Sequence, residues 1–296
     1  MPTVELDAGR IHYRDRGEGP PVVLLHGLLM NHTVWDSVID HLPAGFRYVL
    51  PDLPLGAHPE PLRPGTDLSL RGLNQLVADF LAALDLDEVT LVHSDWGGAL
   101  FLTAYGLDDR IGRLIVFPSE AFDNFPPGLP GKTAILASVL PGGITLALRQ
   151  MRIGWLRRSP LMFGWMAKYR LPDALVHAWT EPGLRDPRIR ADLLAYTRSG
   201  FDKRELVTNT EALQHFPGET LILWSSADKV MPSDHGRRLA ALLPRARLVE
   251  IDDAYVLSML DQPTAVAAAV TEFLTTTTAN RPEPGAEASP ARVPPT

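Results

Sequence analysis

The stretch LVHSDWGG at residues 91–98 has the pattern of a sharp turn between a buried strand and a helix. Apolar residues lead into x-Asp-x-Gly-Gly, the pattern of a nucleophile elbow, which lifts one side chain above the C-terminal edge of a parallel sheet. The lifted residue is Asp95, so the sequence predicts attack by a carboxylate and an ester with a substrate carbon. Hydrolysis of such an ester normally needs a histidine base after the last strand, and no histidine follows His235.

The composition narrows the function classes. The chain has 296 residues, 45% hydrophobic and 21% charged, which is enough for one large α/β domain. Its net charge of -7 argues against nucleic-acid binding, since no basic stripe is needed to explain any segment. The chain has no cysteine, no apolar leader and no apolar run of membrane-spanning length, so we expect a cytoplasmic protein without a membrane partner.

No metal cluster, phosphate loop or dinucleotide fingerprint is present in the sequence. We therefore expect no cofactor and no metal. The expected partner is a small-molecule substrate, and the chain is expected to be a monomer or a homodimer.

The chain alternates strand-like and helix-like segments on both sides of one long interruption. This alternation predicts an α/β fold with a mostly parallel twisted sheet flanked by helices. Residues 121–216 lack clear strands and are predicted to form a helical cap, inserted after the sixth strand above the C-terminal edge of the sheet. Residues 1–120 and 217–276 then form the core, and residues 277–296, rich in Pro, Ala and Glu, are predicted to be a disordered tail.

Five motifs in chain order resemble those of an α/β-hydrolase fold with a helical cap. They are LLHG at 24–27, PDLP at 51–54, the elbow, WSSAD at 224–228 and DQP at 261–263. An aspartate followed by a tryptophan in the elbow resembles the epoxide hydrolase and haloalkane dehalogenase branch. The resemblance covers nearly the whole chain except the tail.

This resemblance implies roles for several residues. Asp95 would be the nucleophile, the backbone N–H groups of Leu28 and Trp96 would form the oxyanion hole, and the Trp96 indole could donate to a leaving halide. Asp228 and Glu120 stand at the two positions whose acid would orient the histidine. The Leu28 side chain cannot supply the second halide donor that dehalogenases often place there.

The position at which the family places its histidine is occupied here by Tyr255 or by Val256, depending on a one-residue gap in the match to the family pattern. Neither acts as a base near neutral pH, although Tyr255 could donate a hydrogen bond. His93, beside the elbow, is the nearest candidate for a substitute base. The alternative for His93 is a hydrogen-bonded histidine of the core.

Aromatic residues are the candidates for contact with a substrate. The sequence predicts a pocket lined by His26, Trp96, Phe122, Trp155, Trp165, Tyr169, Trp179 and Tyr196. By resemblance to epoxide hydrolases, Tyr169 or Tyr196 would donate a proton to an epoxide oxygen, and the alternative is ordinary packing. A basic cluster from Arg149 to Arg158 fits a solvated helix face, with a bound carboxylate as the alternative.

Three functions remain open from the sequence. The first is hydrolysis of a small apolar epoxide, halide or ester by Asp95. The second is a lyase, isomerase or cyclase that uses Asp95 as general acid or base and needs no histidine to activate water. The third is a catalytically silent binder of a small molecule.

Overall fold

The computed structural model describes residues 1–97, 99–199 and 202–279. The first half of the chain contains, in order, β1 Thr3–Leu6, β2 Gly9–Arg16, β3 Pro21–Leu24, α1 Asp36–Ile39, β4 Arg47–Pro51, α2 Leu70–Ala83, β5 Val89–Asp95, α3 Leu102–Tyr105 and β6 Ile111–Ser119. The second half contains α4 Gly128–Val139, α5 Gly143–Met151, α6 Gly154–Arg157, α7 Asp173–Arg185, α8 Pro187–Thr197, α9 Lys203–Ala212, β7 Glu219–Ser225, α10 Ser233–Leu242, β8 Ala246–Ile251, α11 Ser258–Asp261 and α12 Pro263–Ala279.

All eight of these strands form one sheet in the order β1-β2-β4-β3-β5-β6-β7-β8. The β1–β2 and β2–β4 pairs are antiparallel, and every pair from β4 through β8 is parallel. Every residue of β5 is buried, as expected for a central strand covered by helices on both faces. The predicted α/β fold with a mostly parallel sheet is confirmed.

The ends of several helices differ from the sequence prediction. A helix was expected directly after the elbow, but the chain first forms a 3-10 turn at Ala99–Phe101 before the short α3. The helix α12 continues to Ala279, three residues into the stretch expected to be disordered, and no glycine or proline interrupts it after Pro263. The rest of that stretch, residues 280–296, lies outside the described residues.

The helices α4–α9, which we call the helical insertion, lie between β6 and β7. Hydrogen bonds join the insertion to the sheet domain at separate points. The Trp179 indole N–H donates to Thr33 Oγ1 at 2.9 Å, and His58 Nε2 lies 3.0 Å from Asp192 Oδ2. These contacts hold the insertion above the edge of the sheet at which the elbow lies. Among the described helices, none has both the length and the apolar character needed to span a bilayer.

Candidate active site

Asp95 ends strand β5 in a left-handed backbone conformation, with φ of 53°. A non-glycine residue is strained in this region, and such strain concentrates where a side chain must be presented. The carboxylate packs against Gly27, where an added Cβ would lie 2.2 Å from Asp95 Oδ2. Glycine at position 27 thus lets the turn after β3 approach the carboxylate.

The backbone amides of Trp96 and Leu28 donate hydrogen bonds to the Asp95 carboxylate. These are the two amides that the sequence predicted as the oxyanion hole. Burial raises the pKa of the Asp95 carboxyl to about 7, and the two amides oppose that rise only in part. Asp95 thus exchanges a proton near neutral pH.

A cavity of about 240 Å³ lies between Asp95 and the helical insertion. Its wall comes from the turn after β3, the elbow, Val230, and residues of α4, α5, α8 and the segment 161–166. Leucine, alanine, isoleucine and methionine make up most of the wall. Within the part of the chain that the structure describes, Asp95 is the one ionisable side chain on it.

Asp228 lies in the loop after β7, close enough to Asp95 for the two charges to interact. Its Oδ1 accepts hydrogen bonds from the amides of Val230 at 2.7 Å and Met231 at 2.9 Å. Its Oδ2 is buried and has no hydrogen-bond partner among the described residues. Burial raises the pKa of Asp228 to about 7, and the charge of Asp95 adds to that rise.

Tyr196 and Glu120 form a second buried layer beside the elbow. Both side chains are fully buried. The Tyr196 and Trp96 rings lie 6.0 Å apart, so the two side chains pack against each other. Burial and the charges of Glu120 and Asp95 hold the pKa of Tyr196 well above its usual value. Trp96 itself lies on the wall of the cavity that contains Asp95, so its role as a donor to a leaving halide stays a prediction.

His93 lies beneath the elbow in the core and does not reach the cavity wall. An added Cβ on Gly97 would lie 3.2 Å from His93 Cε1. Neither ring nitrogen has a hydrogen-bond partner among the described residues, and burial lowers the pKa of His93 to about 3. This geometry does not favour His93 as the substitute base. His93 is a buried residue of the core, as the alternative expected, but its ring makes no hydrogen bond to a described residue.

His93→Leu is expected to raise the free energy of unfolding by about 1–2 kcal/mol, because it removes a buried polar ring with unmet hydrogen bonds at little change in volume. Chemical denaturation checks this. Turnover should be unchanged. The matched control is His58→Leu, which removes the contact with Asp192 and should lower stability by about 2–3 kcal/mol. Loss of turnover in His93→Leu would restore His93 as a base.

Of the eight residues predicted to line a substrate pocket, Trp96 alone lies on the wall of this cavity. The His26 ring is held in the turn, where Nε2 accepts from the Leu53 amide at 2.8 Å and Nδ1 lies 2.9 Å from the Gly27 carbonyl. Both nitrogens are therefore used, and burial lowers the pKa of His26 to about 4.

Four aromatic residues of the insertion that were predicted to contact a substrate lie away from the cavity wall. Trp155 is 76% exposed at the surface, and Trp165 packs on the core from outside the cavity. Trp179 is buried on Thr33, and the exposed Tyr169 donates its hydroxyl to Asp253. These four positions do not support substrate contact.

Phe122 and Tyr255 also lie off the cavity wall. The ring of Phe122 packs between His235 and the guanidinium of Arg238. The ring of Tyr255 faces the Lys229 ammonium at 4.7 Å. Val256, the other residue considered for the place of the histidine, is fully buried. Tyr255 as a hydrogen-bond donor to substrate is therefore not supported by this geometry.

The sequence analysis missed most of the actual wall. Its aliphatic members from the insertion include Leu136, Leu140, Ile144, Met166 and Leu193. One feature of the sequence could have indicated these residues. Helix α4 carries apolar residues around most of its circumference, so its apolar side chains cannot all face the core.

Comparison with known proteins agrees with the fold. A family model described as alpha/beta hydrolase fold matches residues 20–263. The chain is 31% identical over 242 residues to a haloalkane dehalogenase of Mycolicibacterium paratuberculosis, covering 71% of this chain and 77% of that protein. It is 25% identical over 282 residues to a cis-3-alkyl-4-alkyloxetan-2-one decarboxylase of Shewanella oneidensis, covering 92% and 87%. A solved structure of a meta-cleavage product hydrolase from Pseudomonas fluorescens superposes with a TM-score of 0.73 at 21% identity, covering 94% and 98%.

Proposed function

The chain belongs to the alpha/beta hydrolase family, and from this premise we propose that it converts a small apolar organic substrate through Asp95. The observation that carries the proposal is the cavity wall. It is apolar except for a few neutral polar groups and one carboxylate, and that carboxylate stands on the elbow. A reactive group held in an apolar pocket under an insertion is an arrangement that favours chemistry on an apolar substrate.

We propose nucleophilic attack by Asp95 as the first step. A carboxylate oxygen forms a bond to an electrophilic substrate carbon, and the bond from that carbon to the leaving atom breaks with its electron pair. The leaving atom is a halide, or an epoxide oxygen that then takes a proton.

Hydrolysis of the resulting ester needs a base for water, and Asp228 is our candidate. Its Oδ1 is fixed by two amides, while its buried Oδ2 is free of any hydrogen bond from a described residue. A carboxylate with a pKa of about 7 has the basicity of a neutral imidazole. The amides of Leu28 and Trp96 would stabilise the oxyanion formed when water attacks the ester carbonyl.

The second candidate function is proton transfer without hydrolysis. A specific observation favours it: Asp95 has a pKa of about 7 and no imidazole shares the cavity wall among the described residues. Such a carboxyl can give or take a proton at neutral pH. The similarity to a protein named as a cis-3-alkyl-4-alkyloxetan-2-one decarboxylase supports this candidate.

Labelled water separates the two functions. With enzyme in excess over an epoxide or haloalkane in ¹⁸O-water, the nucleophilic route gives unlabelled product and places ¹⁸O in Asp95. Over many turnovers, the product itself gains the label. Proton transfer without hydrolysis labels neither the product nor Asp95. Peptide mass spectrometry measures both.

Asp228→Asn tests the base. It should preserve the first step and let the ester on Asp95 accumulate, which intact-mass spectrometry detects as protein plus substrate. The matched control is Asp252→Asn, an exposed aspartate bonded to Ser226, which should show no adduct. Tight binding of the panel with neither adduct nor product would contradict catalysis and support a silent binder.

A further inference from the structure

The helical insertion exposes large apolar side chains on its outer surface. We call them the insertion patch: Leu136, Val139, Leu140, Leu146, Trp155 and Leu161, each at least half exposed. Large exposed apolar side chains elsewhere in the described chain are few. A contiguous segment that exposes so many of them marks an interaction surface.

The patch lies in a segment with an unusual charge. Residues 124–172 contain seven basic residues and no acidic one, although the chain as a whole has a net charge of -7. Lys132, Arg149 and Arg158 form no ion pair with any described residue and are exposed. The remainder of the molecule is strongly acidic, so the charge is separated between two regions.

The unpaired basic residues share helical faces with the patch. Lys132 lies four residues before Leu136 on α4, and Arg149 lies three residues after Leu146 on α5. These spacings place side chains next to each other on one helix surface. Arg158 likewise follows Trp155 by three residues. The exposed face thus interleaves apolar and cationic side chains.

The patch is continuous with the cavity. Leu136, Leu140, Leu146 and Leu161 are exposed and also line the cavity that contains Asp95. The cavity therefore opens at the patch. Whatever covers the patch also stands at the entrance to the carboxylate.

We propose that the insertion patch docks on the surface of an anionic lipid bilayer. Apolar side chains bury at the headgroup boundary while basic side chains meet anionic headgroups, and an exposed tryptophan suits this interface. The acidic remainder is repelled by the same surface, which orients the cavity mouth toward lipid. With the proposed function, apolar substrates would enter from the bilayer. This departs from the sequence expectation of no membrane partner, because the sequence did not show that Trp155 is exposed.

Vesicle co-sedimentation tests the docking. The protein should bind phosphatidylglycerol-containing vesicles, bind pure phosphatidylcholine weakly, and lose binding as salt rises. K132E/R149E/R158E should lower the affinity by at least about 100-fold, since each basic residue near such a surface contributes about fivefold. The matched control R185E/K203E/R204E changes three exposed basic residues outside the segment and should retain binding.

Trp155 provides an independent readout. Its fluorescence should shift to shorter wavelength and be quenched by brominated lipid on binding, and Trp155→Phe should remove that response. Asp95→Asn should bind vesicles like the unchanged protein, so a failure of the Asp95 chemistry does not affect this test. The proposal would be overturned if the protein did not bind anionic vesicles, or if both triple variants lost binding equally. It would also be overturned if sedimentation velocity showed a dimer and the patch were buried between its two copies.

Discussion

Asp95→Asn is expected to lower turnover by about 10⁴-fold or more, because it removes the group that we propose reacts with the substrate. The amide has the shape of the carboxylate, and its oxygen can accept the hydrogen bonds from Leu28 and Trp96. Its nitrogen is neither a nucleophile nor a proton acceptor at neutral pH. Substrate binding in the cavity should persist, so KM should change much less than kcat.

Steady-state kinetics on the substrate found with the epoxide, haloalkane and ester panel checks this expectation. Asp252→Asn carries the same chemical change at an exposed position and should keep its turnover. If the Asp95→Asn protein retained more than a tenth of the turnover, another group would be the reacting one. Prior removal of trace unmodified protein is needed, since one part in 10⁴ would mask the effect.

The elbow could be predicted because local sequence determines it. The apolar run before Asp95 must be a buried strand, and glycine at position 27 permits the approach of the neighbouring turn. The alternation of strands and helices along the chain followed from the same kind of pattern. These features depend on residues near each other in the chain, so periodicity and turn residues suffice to predict them.

The position of His93 could not be predicted in this way. In a regular strand, residues two apart point to the same face, which would place His93 and Asp95 together. The left-handed backbone at Asp95 breaks that alternation, and the carboxylate turns into the cavity while the imidazole remains in the core. Only the three-dimensional turn separates the two side chains.

The residues of the cavity wall could not be predicted from the sequence either, because they depend on how short helices pack. Trp155 lies on a four-residue helix, whose length gives no periodicity from which an inward face could be inferred. Tyr169 is drawn outward by Asp253, a partner 84 residues away in the chain. Aromatic content alone therefore predicted the wrong residues.

The burial of Asp95 is expected to make the free energy of unfolding depend on pH. In the unfolded chain this carboxyl has an ordinary pKa of 3.8, and in the fold burial raises it to about 7. Between these values the folded state binds more protons, so raising the pH lowers the free energy of unfolding. A difference of this size corresponds to at most about 4 kcal/mol at pH 8.

Asp95→Asn should therefore be more stable than the unchanged protein by about 2–4 kcal/mol at pH 8 and nearly equal to it at pH 4. Urea denaturation at both pH values and at pH 6 measures the gap. His26 and His93, whose pKa values burial lowers to about 4 and about 3, act in the opposite direction below pH 6.5. They act equally in both proteins, so the difference between the two proteins isolates Asp95.

Asp228→Asn should give a gap of the same sign, since burial raises its pKa to about 7 as well. Because the charge of Asp95 contributes to the raised pKa of Asp228, the double variant should gain less than the sum of the two single gains. A gap between Asp95→Asn and the unchanged protein that stayed constant from pH 4 to pH 8 would contradict a raised pKa. If this difference in the free energy of unfolding grows as the pH rises, the ionised Asp95 destabilises the fold. A residue that lowers stability in this way is expected where it is retained for reactivity.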